Sequence, residues 1–126
     1  MPRILIVEDE NSVRALLRIA LEGAGYDVSD AATAETAVAL YEASPADLVI
    51  TDIFLPEADA IAKMLELVLR NPELKVIAVS GAASEDTAVG VAKLLGARRI
   101  IQKPFCIHEL LEEVRIQVMA IPLLQP

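Results

Sequence analysis

Charged residues follow directly after three short apolar runs in this chain of 126 residues. ILIV is followed by Glu8 and Asp9, LVIT by Asp52, and RRIIQ by Lys103. If these runs are parallel strands of one sheet, their carboxyl ends share an edge and the charged side chains converge there. Three carboxylates and one ammonium in such a pocket could hold a divalent cation and receive a phosphoryl group. The functional reading therefore depends on whether those strands form and point the same way.

The composition is that of one acidic domain with an aliphatic core. The chain is 55% hydrophobic but only 3% aromatic, which is typical of α/β sheets built from Ala, Val, Ile and Leu. Its net charge of -8 disfavours direct binding to nucleic acid, which requires a basic surface. The single cysteine, Cys106, excludes an intrachain disulfide and fits a reducing compartment. No apolar run has the length of a signal peptide or a membrane span, so we expect a cytoplasmic protein without membrane contact.

Short apolar runs alternate with helical periodicity along the whole chain. The repeating spacing predicts five strand–helix units and therefore a parallel sheet with helices on both faces. Thr33 is expected to cap the second helix and Ser84 the fourth, while glycines after the first and fourth helices indicate their ends. The predicted strands cover residues 4–7, 26–29, 48–51, 76–79 and 99–102.

Four of these strands end in motifs that, as a set, resemble the receiver domain of two-component response regulators. The motifs are ILIVEDE, LVITDIFLP, VIAVSG and IIQKPF, and the resemblance spans about residues 3–120. It implies a doubly wound, CheY-like α/β fold, with a five-stranded parallel sheet of order 2-1-3-4-5 and five flanking helices. We expect residues 1–121 to form this receiver domain and residues 122–126 to be a short tail, with no output domain.

The chemistry of the charged residues can be argued on its own terms. Asp52 is the expected nucleophile, forming an acyl phosphate, and its attack on an anionic phosphoryl group requires positive charge nearby. Asp9, with Glu8 at longer reach or through water, would hold a hard cation such as Mg²⁺. Lys103 would place a mobile charge on a phosphoryl oxygen, and Ser80 would offer a hydroxyl to another.

The resemblance implies two further details of this site. The backbone carbonyl of Phe54 would be an additional ligand of the cation, alongside Glu8, Asp9 and Asp52. The peptide bond between Lys103 and Pro104 would be cis. Taken singly, each charged residue could equally be a turn residue, a helix cap or a surface side chain. Their joint position at strand ends favours the functional interpretation.

Several positions depart from the usual receiver pattern. Ile100 stands three positions before the lysine, where an aromatic residue is common, so a switch by aromatic rotation is excluded. Ala60 replaces a usual glycine, and Glu57 adds a negative charge near the predicted phosphorylation loop. Phe54 and Ala82 occupy positions that control phosphoryl lifetime in the family. These departures affect the expected output mechanism rather than phosphotransfer.

The leading hypothesis is a signalling domain rather than an enzyme with its own substrate. Asp52 would accept a phosphoryl group from a sensor histidine kinase or a phosphotransfer protein, and the domain would assist its own phosphorylation and dephosphorylation. The resemblance implies that a downstream protein binds the face formed by the fourth helix, fifth strand and fifth helix. We expect a monomer or a weak homodimer.

Two alternatives stay open. A pseudo-receiver would keep the fold as a constitutive docking module, which Ile100 permits but intact acidic residues disfavour. A phosphatase of the haloacid-dehalogenase type would need a second aspartate two residues after Asp52, where Phe54 stands. A nucleotide-binding domain is excluded because no glycine-rich loop follows the first strand.

We expect Cys106 to be a small packing residue and His108 to be an exposed helix residue.

Overall fold

Five strands alternate with five helices along the chain. The structure, a computed structural model, describes residues 1–81 and 85–119. The strands are β1 (Arg3–Val7), β2 (Asp27–Ala31), β3 (Leu48–Asp52), β4 (Lys75–Ser80) and β5 (Arg99–Gln102). The helices are α1 (Asn11–Gly23), α2 (Ala34–Ala43), α3 (Ala60–Arg70), α4 (Glu85–Leu94) and α5 (Ile107–Met119). The predicted order of elements is confirmed.

All four strand pairings are parallel, and the order in the sheet is β2-β1-β3-β4-β5. The predicted fold class and strand order are therefore confirmed. The chain passes from β1 outward to β2 and then returns to β3 on the other side of β1. Such a reversal opens a crevice at the carboxyl ends of the strands, between the connections that leave in opposite directions.

Each face of the sheet has its own apolar core. Successive residues of β1 divide between them, because side chains of a strand alternate between faces. Ile4 and Ile6 pack with α1 and α5, while Leu5 and Val7 pack with α2, α3 and α4. All four are buried, which explains why the strand reads as a continuous apolar run without polar alternation.

The second strand differs most from its predicted limits. The sequence predicts residues 26–29, but β2 begins at Asp27 and continues to Ala31. The Tyr26 N–H donates to the carbonyl of Leu21 and so belongs to the turn that closes α1. The register with β1, from Arg3 opposite Asp27 to Val7 opposite Ala31, sets the length of β2. Tertiary pairing therefore outweighs the weak local pattern.

Helix ends follow the predicted signals where the structure describes them. The Thr33 side chain accepts a hydrogen bond from the Thr36 N–H, which confirms it as the cap of α2. Gly25 and Gly96 have φ values of 95° and 70°, in the left-handed region that favours glycine, and they follow α1 and α4. The predicted cap Ser84 and the tail at 122–126 lie outside the described residues.

Replacing the cap of α2 tests this local account of the fold. Thr33→Ala removes the oxygen that accepts from the Thr36 N–H, and we expect the free energy of unfolding to fall by about 1 kcal/mol. Chemical denaturation measures the change. Thr36→Ala is the matched control, since it keeps the backbone N–H that Thr33 accepts from and removes the exposed hydroxyl to which the Thr33 hydroxyl donates. Equal destabilisation by both variants would contradict the capping role.

Candidate functional site

Asp52 is the last residue of β3, and its carboxylate is held by two partners. The side chain is almost buried, and the residue is only 7% exposed. The Phe54 N–H donates to Oδ1 at 2.9 Å, and Lys103 Nζ lies 2.9 Å from Oδ2. Each carboxylate oxygen thus has a fixed donor. Such an arrangement sets the orientation of the carboxylate before any ligand binds.

Lys103 follows β5 and reaches across the sheet edge to two carboxylates at once. Its Nζ lies 2.7 Å from Glu8 Oε1 in addition to its contact with Asp52. Its backbone N–H donates to the carbonyl of Ser80 at 2.8 Å, which fixes the start of the side chain against β4. The peptide bond to Pro104 is cis. The two strand ends predicted to converge with Lys103, those of β1 and β3, therefore do so.

Glu8 lies at the end of β1 and is 1% exposed. Its Oε2 accepts from the Glu10 N–H at 3.0 Å, and its backbone carbonyl accepts from Arg14 Nη1 at 2.9 Å. Burial raises the pKa of the Glu8 carboxyl above its ordinary value of 4.5, although the hydrogen bond with Lys103 opposes that rise. Glu8 is therefore held as the buried counter-ion of Lys103.

The two partners of this ion pair respond to burial in opposite ways. Burial alone would lower the pKa of the Lys103 ammonium, but its hydrogen bonds to Glu8 and Asp52 outweigh that effect and raise it. The ammonium is therefore charged at neutral pH. The cost of burying charge falls mainly on Glu8, because one ammonium serves two carboxylates that repel each other.

Glu8, Asp9 and Asp52 together fit a hard divalent cation. Each offers one carboxylate oxygen, and these oxygens all lie within 4.8 Å of one another. Mg²⁺ favours oxygen ligands and commonly uses one or two carboxylates while keeping several waters. Asp9 is exposed while Glu8 and Asp52 are buried, so Asp9 is the carboxylate most open to solvent. The donor set suits the predicted cofactor.

An open cavity of about 340 Å³ lies over these side chains. Its lining contains Asp9, Asp52 and Lys103, and also Phe54, as predicted. Two lining residues were not predicted, Glu10 and Gly81. Both stand directly after predicted site residues, Glu10 in the EDE run and Gly81 in the SG pair, so the sequence carried a signal for their positions. Glu8 is not part of this lining.

Ser80 is the last residue of β4, and Gly81 follows it. Ser80 is buried at 6% exposure and is not among the residues that line the cavity, whereas Gly81, directly after β4, is. A Cβ added at Gly81 would lie 3.2 Å from Cδ of Lys103, closer than most real contacts of this kind. Glycine at this position therefore lets the aliphatic stem of Lys103 pass close to the backbone on its way to the carboxylates.

Three more of the departures noted in the sequence can be located. Glu57 contacts the start of α2 and is not among the residues that line the cavity. Ala60 is buried as the first residue of α3, and no described residue other than glycine has a positive φ, so alanine fits without strain. Ile100 packs partly buried against the α2–α3–α4 core. Ala82 lies outside the described residues.

Two further expectations concern the region around α5. Cys106 is exposed immediately before α5, so the predicted packing role is wrong. His108 is exposed on the helix, as predicted. Within residues 1–81 and 85–119, no helix is both long and apolar enough to span a bilayer.

Comparison with known families agrees with the fold. The model of the response regulator receiver domain matches residues 4–115. The chain belongs to this family, whose members are signalling domains of two-component systems. A solved CheY-like receiver domain protein from Methanospirillum hungatei JF-1 superposes with a TM-score of 0.86 at 31% identity, covering 94% of each chain.

Curated relatives differ in length. The response regulator receiver protein CpdR of Brucella abortus (strain 2308) is 33% identical over 123 residues, which cover 95% of this chain and 99% of that protein. KdpE, the KDP operon transcriptional regulatory protein of Escherichia coli (strain K12), is 36% identical over 116 residues. The match covers 92% of this chain but 51% of KdpE. The chain therefore spans nearly all of one relative and about half of another.

Removing Lys103 should expose the cost of burying Glu8. In Lys103→Met the buried carboxylate loses its ammonium, and we expect a loss of about 3 kcal/mol in the free energy of unfolding near neutral pH. The folded-state pKa of Glu8 would rise further above its unfolded value. A protonated Glu8 carboxyl stabilises the folded state at pH values below the pKa that Glu8 has in the unfolded chain. This contribution is lost as the pH rises through the higher pKa that Glu8 has in the folded protein.

The deficit relative to wild type should therefore be larger at about pH 8 than at about pH 5.5, as measured by denaturant titration. The double variant Glu8→Gln/Lys103→Met is the control, because it has no carboxyl at position 8 and should therefore show a smaller pH dependence than the single variant. A deficit that is independent of pH in the single variant would contradict the account of Glu8 as a buried charge.

Proposed function

We propose that the protein is a phosphoacceptor of a two-component phosphorelay, with Asp52 as the residue that becomes phosphorylated. The observation that carries this proposal is the position of Asp52: an almost buried carboxylate in an open cavity, with Lys103 on one oxygen and further carboxylates within 4.8 Å. The donor would be a phosphohistidine of a sensor kinase or a phosphotransfer protein. Family membership supports this assignment.

The transfer step balances without a further reactant. An oxygen of the Asp52 carboxylate attacks phosphorus, the P–N bond of the phosphohistidine breaks, and its electron pair stays on the imidazole, which takes a proton. The protein's part is to place the nucleophile and to supply positive charge. Lys103 already contacts Asp52 and would neutralise a phosphoryl oxygen.

The cation site would complete the neutralisation. Asp9 and Asp52, the Phe54 backbone carbonyl, and Glu8 directly or through water would hold Mg²⁺, whose charge lowers the repulsion between an anionic nucleophile and an anionic phosphoryl group. Glu8 is farthest from solvent in this set, and its carboxylate already contacts Lys103. We therefore assign it chiefly to holding Lys103 and secondarily to the cation.

Ser80 would report the phosphorylated state. It is buried next to the cavity at the end of β4, and its carbonyl accepts from the Lys103 N–H. In the sheet register it pairs with Gln102 of β5. A hydroxyl that turns toward a phosphoryl oxygen would therefore act on the strand that leads to the proposed partner face.

That partner face is a groove of about 480 Å³ between α4, β5 and α5. Its lining includes Val89, Ile100, Phe105 and Cys106, so the exposed thiol and the isoleucine that replaces the usual aromatic both belong to it. A downstream protein would bind here. We propose that residues 1–121 form the domain, that it acts in the cytoplasm as a monomer or weak homodimer, and that it assists its own dephosphorylation.

Phosphorylation of Asp52 is tested with a small phosphodonor. Wild-type protein incubated with acetyl phosphate and Mg²⁺ should gain the mass of one phosphoryl group, and Asp52→Asn should gain none. Chelating the Mg²⁺ should abolish the gain, because the carboxylates would then be unneutralised. Intact-mass spectrometry measures all three samples. Unmodified wild-type protein, alongside a control receiver that is phosphorylated, would favour the pseudo-receiver alternative.

The switch is tested by hydrogen exchange of the same protein. With acetyl phosphate present, we expect amide exchange to change in β5 and at the start of α5. Helix α2, which packs on the sheet face opposite to α5, should change little. Asp52→Asn with the same donor is the control. An exchange pattern unaffected by phosphorylation would mean that the groove binds its partner constitutively, as in a docking module.

The hydrolase alternative has less support. Phe54 occupies the position where the haloacid-dehalogenase mechanism needs a general acid, and its N–H is used to hold Asp52. Turnover of an unrelated phosphomonoester by the wild-type protein would revive that alternative.

A further inference from the structure

Glu57 lies five residues after Asp52, in the connection between β3 and α3, yet its carboxylate contacts a different element. Its Oε1 accepts a hydrogen bond from the N–H of Ala34, the first residue of α2. The Glu57 side chain is only 19% exposed. The contact joins residues 23 positions apart, so it fastens the connection after the proposed phosphorylation site to the start of a neighbouring helix.

The start of α2 is a favourable place for a carboxylate. The first N–H groups of a helix have no partner within the helix, and the helix dipole places partial positive charge there. The Thr33 side chain, directly before α2, accepts from the N–H of Thr36. The Glu57 side chain, from the β3–α3 connection, accepts from the N–H of Ala34. The two acceptors therefore satisfy different donors, and Glu57 is not a redundant cap.

Lys63 of α3 supports the same carboxylate. Its Nζ lies 3.6 Å from Glu57 Oε2, 3.4 Å from Asp59 Oδ1 and 3.9 Å from Glu35 Oε2. The lysine side chain is 30% exposed, so these ion pairs are screened and individually weak. Together they hold the Glu57 side chain at the junction of α2 and α3, where its carboxylate accepts from the Ala34 N–H.

The connection after β3 is thus held at two points. The Phe54 N–H donates to Asp52 at one point, and the Glu57 side chain is bound to α2 at the other. The Glu57 carbonyl also accepts from the Ala60 N–H at 3.3 Å, which ties the end of the connection to α3. Between the two points lies the peptide that carries the Phe54 carbonyl, the backbone ligand of the proposed cation site.

We propose that Glu57 is a positioning residue for the cation site: its hydrogen bond to α2 holds the β3–α3 connection so that the Phe54 carbonyl faces the carboxylates. This inference rests on the proposed function, because it assigns the cation to that site. Glu57 does not touch the cation itself. Its effect passes through the backbone of residues 54–57, as the effect of an outer hydrogen bond passes through a metal ligand.

The test compares three substitutions at one position. Glu57→Gln keeps an oxygen acceptor for the Ala34 N–H but removes the charge, Glu57→Asp keeps the charge on a side chain too short to reach, and Glu57→Ala removes both. We expect Ala and Asp to weaken Mg²⁺ binding by about tenfold in calorimetric titration, while Gln stays close to wild type. Glu35→Ala, which removes the other α2 carboxylate near Lys63, should also stay close to wild type.

A second readout needs no metal at all. Amide exchange across residues 54–60 in the metal-free protein should accelerate in Glu57→Ala and Glu57→Asp and stay unchanged in Glu57→Gln and Glu35→Ala. This measurement distinguishes a local effect on the β3–α3 connection from a general loss of protein stability. A general loss would accelerate amide exchange throughout the sheet.

Three outcomes would overturn the inference. One is unchanged Mg²⁺ affinity in Glu57→Ala; another is equal weakening by Glu57→Gln and Glu35→Ala, which would indicate long-range charge alone. The third is wild-type protein that binds no Mg²⁺. Wild-type protein that binds Mg²⁺ but takes up no phosphoryl group would overturn only the proposed function and leave the role of Glu57 standing.

Discussion

The contact of one partly buried ammonium with two carboxylates is the interaction on which the candidate site depends. Parallel topology brings the ends of β1 and β3 side by side, and each carries a carboxylate there. Without compensation, Glu8 and Asp52 would repel each other in a poorly hydrated space. Lys103, from the far edge of the sheet, lies within 3 Å of both and removes much of that repulsion. The fold thus brings two like charges together, and the lysine that follows the last strand partly neutralises them.

The position of Lys103 is in turn fixed by its surroundings. Its backbone is bonded to Ser80, its stem passes close to Gly81, and its ammonium ends on a glutamate whose own carbonyl is held by Arg14. Arg14 also pairs with Asp30 of β2 at 3.2 Å. The chain of contacts therefore runs across the carboxyl edge from β5 to β2. These contacts together restrict where the ammonium can lie.

The sequence predicted the fold and most of the candidate residues because both rest on local patterns. An apolar run followed by charge locates a strand and its end together, and this holds at Glu8, Asp52 and Lys103. The resemblance supplied the strand order. The limits of β2 were missed because they follow from its register with β1 rather than from its own residues. Cys106 was misjudged because its exposure depends on where the chain turns before α5.

Glu57 shows a different limit of sequence reasoning. Its proximity to Asp52 in the chain suggested a charge near the cavity, but its side chain contacts Ala34, which no local pattern connects with it. Glu10 is the opposite case: it stands beside Glu8 and Asp9, and its place in the cavity lining could have been read from the same acidic run. Contacts between elements that are distant in sequence require the packed arrangement of α2 and α3 to be known first.

The missing aromatic residue before Lys103 can be considered in the same physical terms. A phosphoryl group on Asp52 would bring negative charge that competes with Glu8 for the ammonium of Lys103. Movement of Lys103 would act directly on its backbone, which is bonded to Ser80 and precedes Pro104 in the groove lining. Ile100 lies in that same groove and packs against α4. The relay we expect therefore runs through the β4–β5 ladder and the apolar packing of Ile100, and it needs no ring to rotate.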